Sequence, residues 1–161
     1  MTKEIEHKFL VKDSEKENLL RILPNHFEDL VQGYFQKSGS VVFRVRLVSK
    51  KQAFLTIKNK FASIIRDEYE YEIPYNDGVE LLKLTENIIH KKRYKIPYEK
   101  SNSLCWEIDF YDSGLTVGEI EVDNERFMPV LPNWIEKNIS NVEEYSNFNL
   151  AKNSGNKKII L

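Results

Sequence analysis

The sequence has little of what secreted, zinc-binding and membrane-spanning proteins require. It contains one cysteine, Cys105, in 161 residues, so it has no internal disulfide, and no His/Cys set has zinc-ligand spacing. Its apolar runs are a few residues long, far short of the roughly 20 that a membrane helix needs. The first eleven residues hold acids where a signal peptide carries basic and then apolar residues. We therefore expect a reducing, cytoplasmic setting.

The chain also lacks an excess of charge of either sign. Lys plus Arg is 24 and Asp plus Glu is 25, which gives a net charge of −1. This balance argues against a simple basic surface for nucleic acid. With 41% hydrophobic and 30% charged residues, the composition is globular, and the length suits one domain. We predict a single domain over residues 1–161, with a loosely held tail over about 152–161.

Alternation of apolar and polar residues runs through most of the chain and predicts β-strands. Turn-forming residues such as Gly39 and Gly114 separate the alternating runs. We predict eight strands, near residues 3–11, 31–36, 41–48, 52–60, 65–74, 90–98, 104–112 and 116–124.

Helices are predicted where the apolar period changes. Ser14 and Glu17 have the spacing of a capping box, and the helix that they begin would end at Pro24. Asn76 or Asp77 would cap a second helix. After the prolines near residue 130 we predict short helices around 132–138 and 141–151. The buried face of the second helix would comprise Leu81, Leu82, Leu84, Ile88 and Ile89.

The polar face of the predicted strands is almost purely charged. Arg44 and Arg46, for example, flank the apolar Val45, and side chains two apart on a strand share a face. The charged positions are Glu4, Glu6 and Lys8, Arg44 and Arg46, Lys58 and Lys60, Arg66, Glu68 and Glu70, Lys91 and Arg93, Glu107 and Asp109, and Glu119 and Glu121.

A solvated sheet face would explain such charges on any one strand. It explains less well seven strands that each carry a charged pair, mostly of one sign. The basic pairs and the acidic pairs fall on different strands, which favours a site with a basic wall and an acidic wall. Lys and Arg bind phosphate oxygens, and Arg does so in a bidentate way. Carboxylates would repel phosphate unless a divalent cation such as Mg²⁺ or Mn²⁺ lay between them.

The residues resemble a known family. Residues 4–8, EIEHK, resemble the ExExK signature of the triphosphate tunnel metalloenzymes, also called the CYTH superfamily, with His7 where the usual motif has Arg. The resemblance covers nearly the whole chain and is to the short bacterial members. It continues in FRVR at 43–46, TIK at 56–58, RDEYEYEIP at 66–74, KKRY at 91–94, WEID at 106–109, GEIE at 118–121 and EYSNFNLA at 144–151.

The resemblance implies an α+β fold. Its centre would be a closed antiparallel eight-stranded β-barrel with a charged lumen, helices packed outside and a short C-terminal plug helix. Such a barrel leaves room for about one small ligand. The implied partner is a small phosphate-rich substrate, with no nucleic acid and no membrane, and a homodimer is left open.

The resemblance also implies the activity, a metal-dependent hydrolysis of triphosphates with Mg²⁺ or Mn²⁺ and two ions. Water activated by metal would attack a terminal phosphoryl group. Inorganic tripolyphosphate is the favoured substrate, because the sequence shows no obvious pocket for a base. The alternatives are an adenylate cyclase of the class IV type, a thiamine triphosphatase, or a non-catalytic polyphosphate- or nucleotide-binding module. The acidic set disfavours the module, since binding alone needs only the basic wall.

The resemblance assigns roles to the charged positions. The catalytic set is Glu4, Glu6, Lys8, Glu119 and Glu121. The phosphate-binding set is Lys8, Arg44, Arg46, Lys58, Lys60, Arg66, Lys91 and Arg93. The metal-ligand set is Glu4, Glu6, Glu68, Glu70, Glu107, Asp109, Glu119 and Glu121. For Glu68, Glu70 and Glu107 the alternative role is to hold the basic side chains in place.

Overall fold

The computed structural model describes residues 2–35, 39–60 and 64–154, with the side chains of Thr2 and Lys60 outside that description. Of the predicted tail, residues 152 and 153 belong to the last helix, and 155–161 lie outside the described residues. The described strands are β1 (Thr2–Val11), β2 (Glu28–Tyr34), β3 (Val41–Val48), β4 (Gln52–Lys60), β5 (Ile65–Ile73), β6 (Asn87–Pro97), β7 (Cys105–Tyr111), β8 (Thr116–Glu121) and β9 (Ile135–Asn138). The described helices are α1 (Lys16–Ile22), α2 (Tyr75–Lys83) and α3 (Asn147–Asn153), with 3₁₀ turns at Asp13–Glu15 and Glu143–Tyr145.

The first eight strands close into an antiparallel barrel. Their order is β5-β4-β3-β2-β6-β7-β8-β1, and pairing of β1 with β5 completes the ring. β1 therefore has three partners: β5 along its first half, and β8 and β9 along its second half. The predicted eight-stranded barrel is confirmed, and β9 is an addition to it.

The hairpin between β3 and β4 shows how a local turn fixes the pairing of two strands. Ser49 and Lys50 have φ values of 49° and 56°, and the Lys51 amide donates to the Val48 carbonyl. Two consecutive residues at positive φ match the right-handed twist of the strands that they join. The turn thus sets the register in which Arg44 lies opposite Thr56.

The apolar residues of the strands pack outside the barrel. Val45 and Leu47, on the face of β3 opposite its arginines, are buried with Leu82 of α2. A larger cluster is buried beneath α1 and the segment before β9, where the Trp106 and Trp134 rings meet edge to face. His7 also points away from the lumen, and its Nε2 donates to the Phe127 carbonyl at 2.9 Å.

The C-terminal segment covers one end of the barrel, as the plug-helix prediction requires. Phe148 packs edge to face on Tyr34 inside the barrel, with 5.8 Å between ring centroids. The Tyr111 hydroxyl donates to Asn147 Oδ1 at 2.6 Å. Buried Leu10 and Val117 complete an apolar layer at this end. None of the helices in the described part of the chain is long and apolar enough to cross a membrane.

Several local predictions are wrong. The helix predicted around 132–138 is instead β9, because Trp134 and Ile135 are buried on the barrel and Ile135 pairs with Val11. The capping box at Ser14 does not form, and a 3₁₀ turn precedes α1.

The second and last helices also differ from the prediction. α2 begins at Tyr75, so neither predicted cap is used, and Pro74 holds the N-cap position without a side-chain hydrogen bond. It ends at Lys83, so Ile88 and Ile89 belong to β6. The helix predicted around 141–151 is a 3₁₀ turn followed by α3.

Candidate active site

Charged side chains of the barrel strands line a shared cavity of about 280 Å³. They meet there because alternate residues of each strand point inward. Asp109 and Lys8 lie beside it, in ion pairs with its lining. The lining residues are Glu4, Glu6, Gln32, Arg44, Arg46, Lys58, Arg66, Glu68, Glu70, Lys91, Arg93, Glu107, Glu119, Glu121 and Asn147.

The strand order separates the two signs of charge around this lumen. The basic strands β4, β3 and β6 lie together with β2, and the acidic strands β7, β8, β1 and β5 follow. Lys8 on β1 and Arg66 on β5 are the exceptions. This order agrees with the two walls that the sequence predicts. The basic wall is Arg44, Arg46, Lys58, Lys91 and Arg93, and the acidic wall is Glu4, Glu6, Glu68, Glu70, Glu107, Asp109, Glu119 and Glu121.

Arg93 joins the two walls at the boundary between β6 and β7. Its Nε and Nη2 donate to the two oxygens of Asp109, each at 2.7 Å, and Nη2 also donates to Glu119 at 2.6 Å. Glu107 and Lys91 complete this network through Arg93 and Asp109 respectively. Burial opposes the charged form of Asp109, but Arg93 and Lys91 outweigh it and lower its pKa. Burial and the nearby Arg93 lower the pKa of Lys91 to about 8.

Lys8 and Glu119 form an ion pair next to this network. Lys8 Nζ lies 2.6 Å from Glu119 Oε1, and both side chains are buried. Burial would raise the pKa of Glu119, but Lys8, Lys91 and Arg93 hold it well below its usual range. The carboxylate of Glu119 is therefore ionised and lies between the cationic side chains of Lys8 and Arg93.

Lys58 joins the walls at the opposite boundary, between β4 and β5. Its Nζ lies 2.7 Å from Glu4 Oε2 and 2.6 Å from Glu68 Oε2. Burial acts against ionisation of Glu4, but the Lys58 charge dominates and lowers its pKa to about 2. Lys58 thus bridges β1 and β5 across the seam that closes the barrel.

Two arginines on β3 present unused donors to the lumen. Arg44 Nη2 donates to Thr56 at 2.9 Å and to Glu70 at 3.0 Å. The Nε atoms of Arg44 and Arg46 are buried, and neither has a hydrogen-bond partner among the described residues. Burial, with the charges of Arg44 and Arg93, lowers the pKa of Arg46 to about 10. These buried donors and this surplus of positive charge suit an anion.

The acidic wall contains a pair of carboxylates that lacks a basic partner. Glu6 and Glu121 are opposite one another across β1 and β8, and neither forms an ion pair within the described part of the chain. Burial raises the pKa of Glu6 to about 7, and Glu119 and Glu4 add to the shift. Burial and the neighbouring Glu4 and Glu107 also raise the pKa of Glu121. Clustered carboxylates with raised pKa values fit a hard divalent cation, whose ligands are oxygens.

The predicted metal ligands are nevertheless not preassembled among the described side chains. Among the described side chains, no three His, Cys, Asp or Glu residues lie together as a set of metal ligands. Ion pairs with Lys58, Lys8 and Arg93 hold other carboxylates of the predicted ligand set apart.

Arg66 lines the cavity opposite Glu4, and the side chain of Lys60 lies outside the described residues. The other predicted site residues all face the lumen or pair with residues that do. Their roles as ligands and phosphate-binding groups stay predictions.

Sequence reasoning missed polar residues that carry no charge. Gln32 lies on the cavity wall, and its Nε2 donates to the Tyr34 hydroxyl at 3.0 Å. Tyr111 places its ring 5.3 Å from Lys91 Nζ, and Asn147 reaches the cavity from α3. The alternation of β2 and β7 places Gln32, Tyr34 and Tyr111 on the lumen face, but the prediction included only the charged residues of that face.

Comparison with known proteins identifies the family. The CYTH domain model matches residues 2–153. The chain belongs to the CYTH family. A curated relative, the inorganic triphosphatase of Acetivibrio thermocellus, is 38% identical over an alignment of 160 residues, and the match covers 95% of this chain and 96% of the relative.

Solved structures of this family share the fold. The inorganic triphosphatase NE1496 is 28% identical, with a TM-score of 0.60 over 94% of this chain and 95% of that one. A putative adenylyl cyclase from Hippeastrum, whose structure is described as revealing a dominant triphosphatase activity, has a TM-score of 0.54 at 15% identity over 77% of this chain and 80% of that one. At that identity the likeness concerns the fold alone.

Proposed function

We propose that this CYTH protein hydrolyses inorganic tripolyphosphate with the help of a divalent cation. The observation that carries the proposal is the cavity lining, which consists of charged and amide side chains. The described lining of this cavity includes no aromatic ring; Tyr34 and Phe148 lie in an adjoining pocket that shares Arg44, Lys58 and Arg66 with it. A chain of bare phosphates satisfies such a lining, whereas a nucleoside would bury its base against charge. The name of the Acetivibrio thermocellus relative supports the same substrate.

The basic wall would grip the phosphate oxygens. Arg44 and Arg46 offer buried Nε atoms that have no hydrogen-bond partner in the described part of the chain, and Lys58 and Arg93 lie at the two wall boundaries. These groups are held by the strands before substrate arrives, so they favour the transition state through position and charge.

The acidic wall would hold the cation, for which the family resemblance implies Mg²⁺ or Mn²⁺. Glu6 and Glu121 would be its first ligands, with Glu4 and Glu119 beside them. We propose that Glu68, Glu70, Glu107 and Asp109 complete the oxygen set for a second ion. When bound, the cations supply charge neutralisation and a more acidic water.

Three further expectations remain part of the proposal. We propose that the protein acts in the cytoplasm, binds no nucleic acid and no membrane, and forms one domain over 1–161. The balance of 24 basic and 25 acidic residues supports the absence of a nucleic-acid surface. A homodimer stays open.

A substrate comparison tests the activity. Purified protein is incubated with tripolyphosphate, ATP or thiamine triphosphate, with Mg²⁺, Mn²⁺ or EDTA, and released phosphate and cyclic AMP are measured. We expect phosphate release to be fastest from tripolyphosphate and absent in EDTA. Cyclic AMP from ATP, equal rates on all three substrates, or activity in EDTA would contradict the proposal.

A further inference from the structure

The described lumen neutralises itself. Lys58, a predicted phosphate-binding residue, forms ion pairs with two predicted metal ligands, Glu4 at 2.7 Å and Glu68 at 2.6 Å. Neither role can be filled while these pairs are intact, because a lysine that holds two carboxylates has few donors left for phosphate. A carboxylate that accepts from an ammonium group is likewise a poor ligand for a cation.

Other predicted phosphate-binding residues around the lumen also form ion pairs with predicted metal ligands. Glu119 accepts from Arg93 at 2.6 Å and contacts Lys8 at the same distance. Glu70 lies 3.0 Å from Arg44 and 3.8 Å from Arg46. Lys58, Glu119 and Glu70 are therefore each paired with groups that would serve the other ligand, whereas Glu6 and Glu121 have no ion pair among the described residues.

Either ligand alone would leave a charge without its ionic partners. A cation that takes both Glu4 and Glu68 leaves Lys58, whose side chain is 16% exposed, without its two carboxylates. A phosphate chain that takes both Arg44 and Arg46 leaves Glu70 without its two arginines. Breaking one partner of a buried pair is costly because the remaining charge is uncompensated. When both ligands are present, every charge keeps a partner.

We propose that the lumen couples cation and phosphate binding by exchange of ion-pair partners, so that each ligand binds weakly alone and strengthens the other. The inference rests on the proposed function for the identity of the two ligands. Coupling of this kind is reciprocal, and typical values are about 5–150-fold in affinity.

The first test measures cation binding without any anion. Lys58→Met removes the ammonium group that pairs with Glu4 and Glu68. We therefore expect Mn²⁺, added without any anion and measured by calorimetry, to bind this variant about tenfold more tightly than the unaltered protein. Lys51→Met, which removes the same charge from an exposed turn, is the matched control and is expected to change the affinity less than about twofold. Lys58→Arg keeps an ion-pair donor and should bind Mn²⁺ as the unaltered protein does.

The second test measures anion binding without any cation, and it does not depend on Lys58. Glu70→Gln releases Arg44 and Arg46, so tripolyphosphate in metal-free buffer should bind about tenfold more tightly. Glu86→Gln, at an exposed position, is the matched control. Thermal melts establish that each variant is folded.

Unchanged or weaker affinity in both folded variants overturns the inference. Tightening that the exposed controls match overturns it as well, because the effect would then be one of overall charge. These readouts are binding constants, so they are independent of hydrolysis. If the protein hydrolyses tripolyphosphate but the two variants leave these binding constants unchanged, the proposed function stands and the coupling is refuted.

Discussion

Glu121 and Glu6 differ from the other carboxylates of the acidic wall, because neither has an ion pair among the described residues. Glu119, by contrast, holds both Lys8 and Arg93. Burial, and after it the charges of Glu4 and Glu107, raise the pKa of Glu121. Glu121 is exposed to solvent and faces other carboxylates, so its charge contributes no ion pair to the described part of the fold.

Replacing Glu121 should separate activity from stability. In Glu121→Gln we expect an unchanged or higher Tm, because a repelled charge is removed, and a loss of tripolyphosphate hydrolysis of at least about tenfold. Glu119→Gln is the comparison variant. It should lose both thermal stability and hydrolysis, since Lys8 and Arg93 would each lose a carboxylate partner. The measurements are a thermal melt and phosphate release. A fall in Tm as large as that of Glu119→Gln would assign Glu121 a structural role.

At this scale the sequence predicts which side chains meet but not with whom each one pairs. The period of two along each strand places Lys58 and Glu4 in the same lumen. Their contact depends on the seam between β1 and β5, which joins residues more than fifty positions apart. No local pattern carries that pairing, because the closed ring of strands sets it.

At the scale of elements, His90 ties three of them together on the outside of the barrel. It lies in β6, its Nε2 is 2.5 Å from Asp29 of β2, and its Nδ1 is 2.8 Å from Asp112 after β7. Both ring nitrogens donate only in the protonated imidazole. Burial alone would lower the pKa of His90, but the hydrogen bonds and charges of Asp29 and Asp112 outweigh it and raise the pKa.

This arrangement predicts a pH dependence of stability with a definite sign. A raised folded-state pKa stabilises fully below the unfolded value of about 6.5 and loses that contribution as pH rises through the folded value. The free energy of unfolding by urea, measured from about pH 5.5 to 9, should fall faster in the unaltered protein than in His90→Gln. The difference in unfolding free energy between the unaltered protein and His90→Gln should narrow as pH rises. A gap that stays constant across this range would mean that the protonated imidazole contributes nothing.

Elements with a long alternating pattern were predictable, and short ones governed by packing were not. All eight barrel strands follow from alternation, since a half-buried sheet needs a period of two. β9 fails this rule because its buried residue, Ile135, is followed by three exposed residues and not by an alternation, and its pairing with β1 makes the segment a strand. The N-cap predicted for α2 is also absent, because Pro74 holds the N-cap position and makes no side-chain hydrogen bond there.

At the scale of the whole molecule, ligand binding should appear as thermal stability. Tripolyphosphate with Mg²⁺ would bind the closed barrel and not the unfolded chain, so about 100 times Kd of ligand would add roughly 2.7 kcal/mol. For a domain of this size that is a rise of about 5–10 °C in Tm. Orthophosphate, with fewer contacts, should raise Tm much less. The measurement is a melt with each ligand at constant ionic strength, with sulfate as the control. Equal small shifts for tripolyphosphate and sulfate would indicate a generic anion effect.

The three partners of β1 have a consequence for how the chain reaches its native state. β1 leaves the ribosome first, yet β5, β8 and β9 begin at Ile65, Thr116 and Ile135. Its pairings are therefore among the most distant in sequence, and contacts of this kind form slowly. Glu4, Glu6 and Lys8 lie on β1, whereas β2 to β5 and β6 to β8 can each form through pairs of strands that are neighbours in sequence. The carboxylates and the ammonium group of β1 thus join the lumen at the same step that closes the ring, so folding and assembly of the site finish together.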